Sequence, residues 1–165
     1  MTRNDVLNDD FADLLQALLD ADARFLIVGA HAMGAHGVTR ATGDLDVLVQ
    51  ASPDNAPRVW AALRAFGAPV ATHGLSIHDF ERPGIVYQVG IPPRRIDLLT
   101  IIDGVSFVEA WEGRTSVRIG GLDLPVLGLE ALRRNKAAAA RPKDLLDLIL
   151  LDQAGASLAP GDPPA

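Results

Sequence analysis

An α/β fold, with a small mixed twisted sheet, flanking helices and a C-terminal helical pair, is what this sequence predicts. Three observations carry that expectation. Short apolar runs of strand length, "RFLIVG", "DLDVLV" and "RRIDLLTII", recur along the chain. Segments with apolar residues at helical spacing alternate with them, which is the pattern of strands covered by helices. Glycine and proline punctuate the boundaries between the two.

The elements follow in order. Phe11, Leu14, Leu15, Leu18 and Leu19 fall at helical spacing, predicting an amphipathic helix over about residues 8–22. A buried strand is expected from Arg24 to Val28, stopped by Gly29. "HAMGAHG" suits a brief helix ending at Gly37, and after the loop "VTRATG" a second strand runs from Leu45 to Val49. In "SPDNAPRVWAALRAFG", Ser52 reads as an N-cap, Pro53 as the first helical residue and Gly67 as the stop. "LSIHDF" and "GIVYQVG" read as two short strands, and "RRIDLLTII" as a stronger one bounded by "PP" and "DG". A short helix is expected around Phe107 to Trp111, then a hairpin of "SVRI" and "LDLPVL" turning at Gly120-Gly121. Two helices close the order, Leu129 to about Ala139 and Lys143 to about Gln153, parted at Arg141-Pro142. With no internal repeat or linker, residues 1–155 read as one domain. The small, Pro-rich stretch 156–165 reads as a disordered tail.

Composition narrows the function. The chain has 165 residues, about one domain by length, and no cysteine, which excludes disulfides and thiolate zinc sites. The polar, acidic start "MTRNDVLNDD" is unlike a signal peptide, and no apolar run reaches the roughly 20 residues that span a bilayer. A cytoplasmic protein with no membrane partner is therefore expected. A net charge of −6 argues against nonspecific coating of nucleic acid, which needs clustered Lys and Arg.

The chemistry concentrates in "RATGDLDVLVQ". On a strand, residues i and i+2 share a face, so Asp44 and Asp46 project into one space. Like charges there repel unless a cation lies between them. With only hard oxygen ligands, Mg²⁺ is the natural ion, held by one or two carboxylates together with substrate phosphates. Asp97 lies inside another apolar strand, where an ionised side chain is costly unless paired. Three convergent carboxylates describe a two-metal platform for phosphoryl or nucleotidyl transfer. The plainer alternative has Asp44 capping a turn, Asp46 paired with an arginine and Asp97 on an exposed edge.

In this context, "VGAHAMGAHGVTRATGDLDVLV" resembles the nucleotidyltransferases of the DNA polymerase β superfamily, whose signature is a strand ending in Gly-Ser or Gly-Gly, a short helix, D-x-D and a later third carboxylate. The matching positions are Gly29-Ala30, the helix through Met33, Asp44-x-Asp46 and Asp97. More narrowly, "R-x-T-x-D-L-D" with "LEALRRNKAAAARPKDLLDL" looks like small bacterial nucleotidyltransferase-like proteins related to abortive-infection toxins. The likeness covers most of residues 11–153. It implies a nucleotidyltransferase-type sheet and transfer of a nucleoside monophosphate from an NTP to an acceptor hydroxyl on a transfer RNA, a protein or a small molecule. Asp44, Asp46 and Asp97 would be catalytic and metal-binding. Gly29, Ala30, Arg40, Thr42, Lys136, Arg141, Lys143 and Asp144 would bind the nucleotide, and a toxin or antitoxin protein would be a partner. Ala30 departs from the pattern, since Ser or Gly there contributes to triphosphate binding. That favours the alternative of a catalytically weakened nucleotide-binding or interaction module on the same fold.

Basic residues at a helix C-terminus explain Arg133 and Arg134 without a ligand, and Lys136 less well. Asp144 also reads as an early acidic residue of its helix, and Asp147 as solvated. His31, His36, His73 and His78 lack metal-ligand spacing and receive no catalytic role, although His31 directly follows Gly29-Ala30. Trp60 and Trp111 fit apolar helix faces. "VGAHAMGAHG" fails the G-x-G-x-x-G spacing and has no lysine for a Walker A loop.

Overall fold

The computed structural model describes residues 7–39 and 44–156. Arg40, Thr42 and the expected tail beyond Ala156 lie outside the described residues.

The first helix, α1 (Asp9–Asp20), starts where Asn8 accepts the Phe11 amide, and it buries Phe11, Leu14, Leu15 and Leu18. Strand β1 (Phe25–Val28) is buried throughout and leads directly into α2 (Gly29–Ala35). Strand β2 (Asp44–Val49) returns antiparallel to β1, pairing Val28 with Asp46 and Phe25 with Val49. Helix α3 (Ala56–Phe66) follows and stops at Gly67, whose φ of 94° is the left-handed conformation that glycine adopts without strain.

Beyond α3 come β3 (Val86–Val89) and β4 (Arg95–Leu99), the latter parallel to β2. Helix α4 (Phe107–Glu112) opens with a reciprocal Ser106–Glu109 capping box. Strands β5 (Thr115–Ile119) and β6 (Leu122–Val126) form the expected hairpin. Gly120 and Gly121 both have positive φ, as a two-residue hairpin turn that follows strand twist requires. Helices α5 (Leu129–Ala139) and α6 (Pro142–Ala156) pack together as a C-terminal pair. The six strands form one mixed sheet in the order β3-β4-β2-β1-β6-β5. The strands bearing the acidic residues are therefore interior ones, and the core gathers around their apolar side chains. No helix among the described residues is long and apolar enough to cross a membrane.

Two expectations are corrected. "LSIHDF" is not a strand: Ile77–Glu81 is a 3-10 helix, because Ser76 and Asp79 cap one another across its first turn and close the chain locally. Helix α3 begins at Ala56 rather than Pro53, with Pro57 in its first turn. Ser52 accepts the Asn55 amide at 3.0 Å and so caps the preceding turn instead. The helix is delayed because Asn55 has another task. Only 2% exposed, it accepts the Arg24 amide at 2.8 Å and donates to the carbonyls of Arg24 and Gln50, each at 3.0 Å. Its side chain thus pairs with Arg24 as a neighbouring strand would, clamping the end of β1–β2 opposite Asp46.

Asn55→Ala removes three hydrogen bonds and leaves the Arg24 amide without its partner. The expected cost is about 2–3 kcal/mol of folding stability. Urea denaturation checks it through a lowered midpoint at unchanged slope.

Candidate functional site

One cleft collects most of the singled-out residues. It encloses about 620 Å³ and is lined by the end of β1 and start of α2 (Val28, Gly29, Ala30), by Asp44 and Asp46 of β2, and by the chain after β4 (Leu99, Ile101, Ile102, Asp103). The wall formed by the α5–α6 pair contributes Asn135, Lys136, Ala139, Arg141, Lys143 and Asp147. An acidic wall thus faces a mainly basic one.

The acidic wall follows from strand geometry. Alternation along β2 turns Leu45 and Val47 into the core while Asp44 and Asp46 lie on the other face. Parallel pairing sets Asp44 beside Arg95 and Asp46 beside Asp97. Asp97 is flanked on its other side by Gln88 of β3, so it is an interior-strand residue and not one at an exposed edge. It is 9% exposed and lies behind the cleft surface rather than on it. Gly29 makes room for this group. Its φ is 69°, and a Cβ there would stand 2.2 Å from Asp46 Oδ2, so both backbone and space demand glycine.

Arg95, given no role in the sequence beyond its place in the expected strand "RRIDLLTII", joins the carboxylates. Its Nη2 donates to Asp44 Oδ2 at 2.6 Å and to Asp97 Oδ2 at 3.4 Å, and its Nε lies 3.1 Å from Asp97 Oδ1. That last contact is an ion pair without hydrogen-bond alignment. Among the described residues Asp46 has no such guanidinium beside it. Burial first, then the Asp97 and Asp44 charges, push its carboxyl up to about 6, with Lys143 pulling weakly the other way.

The basic wall is held by two buried aspartates. Lys136, 7% exposed, lies 2.9 Å from Asp147 Oδ2 and 3.4 Å from Asp144 Oδ1. Burial lowers its ammonium pKa, and Asp144 opposes that shift. Asp144 is fully buried and does not reach the cleft. It accepts the Arg141 amide at 3.1 Å and Arg141 Nε at 2.7 Å, so it is both the early acidic residue of α6 and the anchor of Arg141. Burial alone would raise the Asp144 carboxyl, but the hydrogen bonds from Arg141 hold it below the usual range. Ala140, at φ 52° in the left-handed region, makes the turn that carries Arg141 and Lys143 to the cleft.

The structure therefore gathers Gly29, Ala30, Asp44, Asp46, Lys136, Arg141 and Lys143 around one space, with Asp97 behind it and Asp144 beneath it. Asp147 is a correction: expected to be solvated, it is 2% exposed, because the Lys136 ion pair draws it inward. Asp103, Asn135 and Arg95 had no sequence signal beyond proximity to apolar runs. No histidine lines the cleft. His31 is partly buried edge-on against Phe11, its Nδ1 without a hydrogen-bond partner among the described residues and its pKa lowered by burial. His36 Nε2 meets the Leu127 carbonyl at 2.8 Å. Trp60 packs on Phe80, while Trp111 stacks on Phe107 and carries the Arg114 guanidinium 3.9 Å above its ring.

For a divalent ion, Asp44 and Asp46 fit as oxygen donors on the cleft wall. Among the described residues no three His, Cys, Asp or Glu side chains converge to hold one. The expected three-carboxylate platform is altered by the guanidinium that engages Asp97.

No protein-family profile matches this sequence. No curated protein matches it either. Among solved structures it is similar to a chain from Thermotoga maritima described as a candidate nucleotidyltransferase, at 15% identity, with 93% of each chain covered and a TM-score of 0.48.

The raised Asp46 pKa has a stability consequence. The native carboxyl holds its proton more tightly than the unfolded one, so its contribution is fully present below about pH 4 and is lost as pH rises through about 6. The loss amounts to about 3 kcal/mol. Asp46→Asn removes the charge and retains a donor toward Asp97. In the absence of divalent ions, that variant should be more stable than the wild type by about 1–3 kcal/mol at pH 7.5, and the gap should shrink near pH 4.5. Chemical denaturation with chelator at both pH values reads it, and an equal gap at the two would show that Asp46 ionisation is not the cause.

Proposed function

We propose that the chain is a nucleotidyltransferase, moving a nucleoside monophosphate from an NTP to an acceptor hydroxyl with Mg²⁺. The observation that carries this reading is the opposition, across one cleft of about 620 Å³, of Asp44 and Asp46 to Arg141 and Lys143. A metal-holding wall facing a phosphate-holding wall suits a metal triphosphate better than either component alone. The acceptor oxygen attacks the α-phosphorus, the bond to the bridging oxygen of the β-phosphate breaks, pyrophosphate departs, and the hydroxyl proton is released.

Asp44 and Asp46 would hold the ion, which when bound neutralises triphosphate charge and orients the α-phosphate. Arg141, held by Asp144 yet 61% exposed, is preorganised to donate to phosphate oxygens, and Lys143 adds a mobile charge. Lys136 is saturated by two aspartates and braces this wall. Leu99, Ile101 and Ile102 offer an apolar strip against which a base can lie. Preorganised charge of this kind, rather than a covalent intermediate, would supply the rate enhancement. A second reading, binding without transfer, draws on the engagement of Asp97 by Arg95, which occupies the carboxylate that a two-ion mechanism would use.

The test is incubation with Mg²⁺ and each of the four α-labelled triphosphates, using cell extract as acceptor. Label should pass to an RNA, protein or small-molecule fraction, and which fraction takes it identifies the acceptor class. Asp46→Asn should lower transfer by about 100-fold or more, and Arg141→Met should weaken triphosphate binding by roughly tenfold. At subsaturating Mg²⁺, acidifying from pH 7 to 5 should cut activity about tenfold as Asp46 takes up its proton. If triphosphate binds and no fraction is labelled, the binding-only reading replaces this one.

A further inference from the structure

Among the described residues, Arg95 is the one cation built into the acidic wall itself. As residue i to the i+2 of Asp97 it shares that aspartate's face of β4, and parallel register sets it beside Asp44 on β2. Its guanidinium bridges the two strands, 2.6 Å from Asp44 Oδ2 and 3.1 Å from Asp97 Oδ1. The side chain is 31% exposed and Asp97's is 13%, so this contact is partly shielded from solvent and worth more than a surface pair.

Three consequences follow from that placement. Asp97 meets Arg95 with both carboxylate oxygens, one through Nε and the other through Nη2, and does not line the cleft. Asp44 shares one oxygen with the same guanidinium but keeps its place on the cleft wall beside Asp46. Counted over the described residues, three carboxylates offset by one guanidinium retain two negative charges, which a single divalent ion balances. A second divalent ion near Asp97 would sit against the guanidinium, where like charges repel, more strongly in a partly buried site than in water.

We propose that Arg95 takes the place of one cation in this wall, so that the cleft binds a single divalent ion through Asp44 and Asp46 while Asp97 serves to hold the guanidinium. This rests on the reading of the cleft as a divalent-ion and triphosphate site. Arg95 acts here as a positioning residue. It fixes the charge count of the wall and the orientation of Asp44.

Titration of the full chain with Mn²⁺ alone, following loss of the free-ion electron paramagnetic resonance signal at pH 7.5, counts the ions directly. The wild type should bind one Mn²⁺ per chain. Arg95→Ala should bind two, or bind a second at least tenfold more tightly than the wild type does. Arg95→Lys should still bind one. Asp97→Asn, which tests the same point if Arg95→Ala does not fold, should keep one Mn²⁺ with affinity changed by less than tenfold, because Asp97 is not a ligand. Two ions in the wild type, an unchanged count of one in folded Arg95→Ala, or a larger loss of affinity in Asp97→Asn overturns the inference and leaves the nucleotidyltransferase reading standing. No Mn²⁺ bound by the wild type overturns the divalent-ion reading of the cleft along with it.

Discussion

Repulsion among Asp44, Asp46 and Asp97, set side by side on two interior strands, is the constraint around which this molecule is arranged. Left alone, the three charges would oppose the pairing of β2 with β4, since like charges directly opposite each other destabilise a sheet. Each surrounding feature answers some part of that repulsion. Arg95 compensates two of the carboxylates. Gly29 removes the Cβ that would crowd the third, leaving it on the cleft wall. Asn55 pins the far end of β1–β2, so that the near end is held by pairing that the charges cannot prise apart.

The basic wall shows the same logic with signs reversed. Lys136 is buried, a position that a lone ammonium would leave or occupy uncharged. Asp144 and Asp147 make the burial tolerable, and Asp144 also aims Arg141. Removing Asp144 would take a partner from Lys136 and the anchor from Arg141 at once, and such a loss at a buried pair costs more than the pair contributes. The two walls thus differ in kind. The basic one is nearly neutral inside and presents its cations at the surface, while on the acidic one, among the described residues, carboxylates outnumber cations at the cleft.

This difference explains what was legible in the sequence. The alternation of apolar strands and helices, the Gly120-Gly121 hairpin and the C-terminal helical pair all express local periodicity and turn chemistry, and they appear at nearly the expected boundaries. Asp44 and Asp46 were legible because i, i+2 spacing on a strand needs no tertiary information. The misreadings have one source, which is that a polar side chain takes its meaning from a distant partner. Asn55 looked like part of a helix start, but Arg24, 31 residues earlier, claims it. Asp147 looked solvated until α5 brought Lys136 over it. Arg95 drew no role because only the β2–β4 register puts it beside Asp44. "LSIHDF" failed differently, since its apolar alternation lost to a local capping box.

Rigidity and charge together decide what the cleft is suited to do. Asp46 stands on a strand flanked by paired neighbours on both sides, so it cannot retreat from Asp97 when it ionises. The energy of holding that charge stays in the folded protein. Its contribution to folding stability has a definite sign: ionisation of Asp46 lowers stability as pH rises through about 6. A group placed only for stability would show the opposite arrangement, with its charge compensated before any ligand enters, as Asp144 does. Asp144 and Asp46 thus differ in one physical respect: hydrogen bonds from Arg141 meet the charge of the first, whereas burial and neighbouring carboxylates oppose the charge of the second.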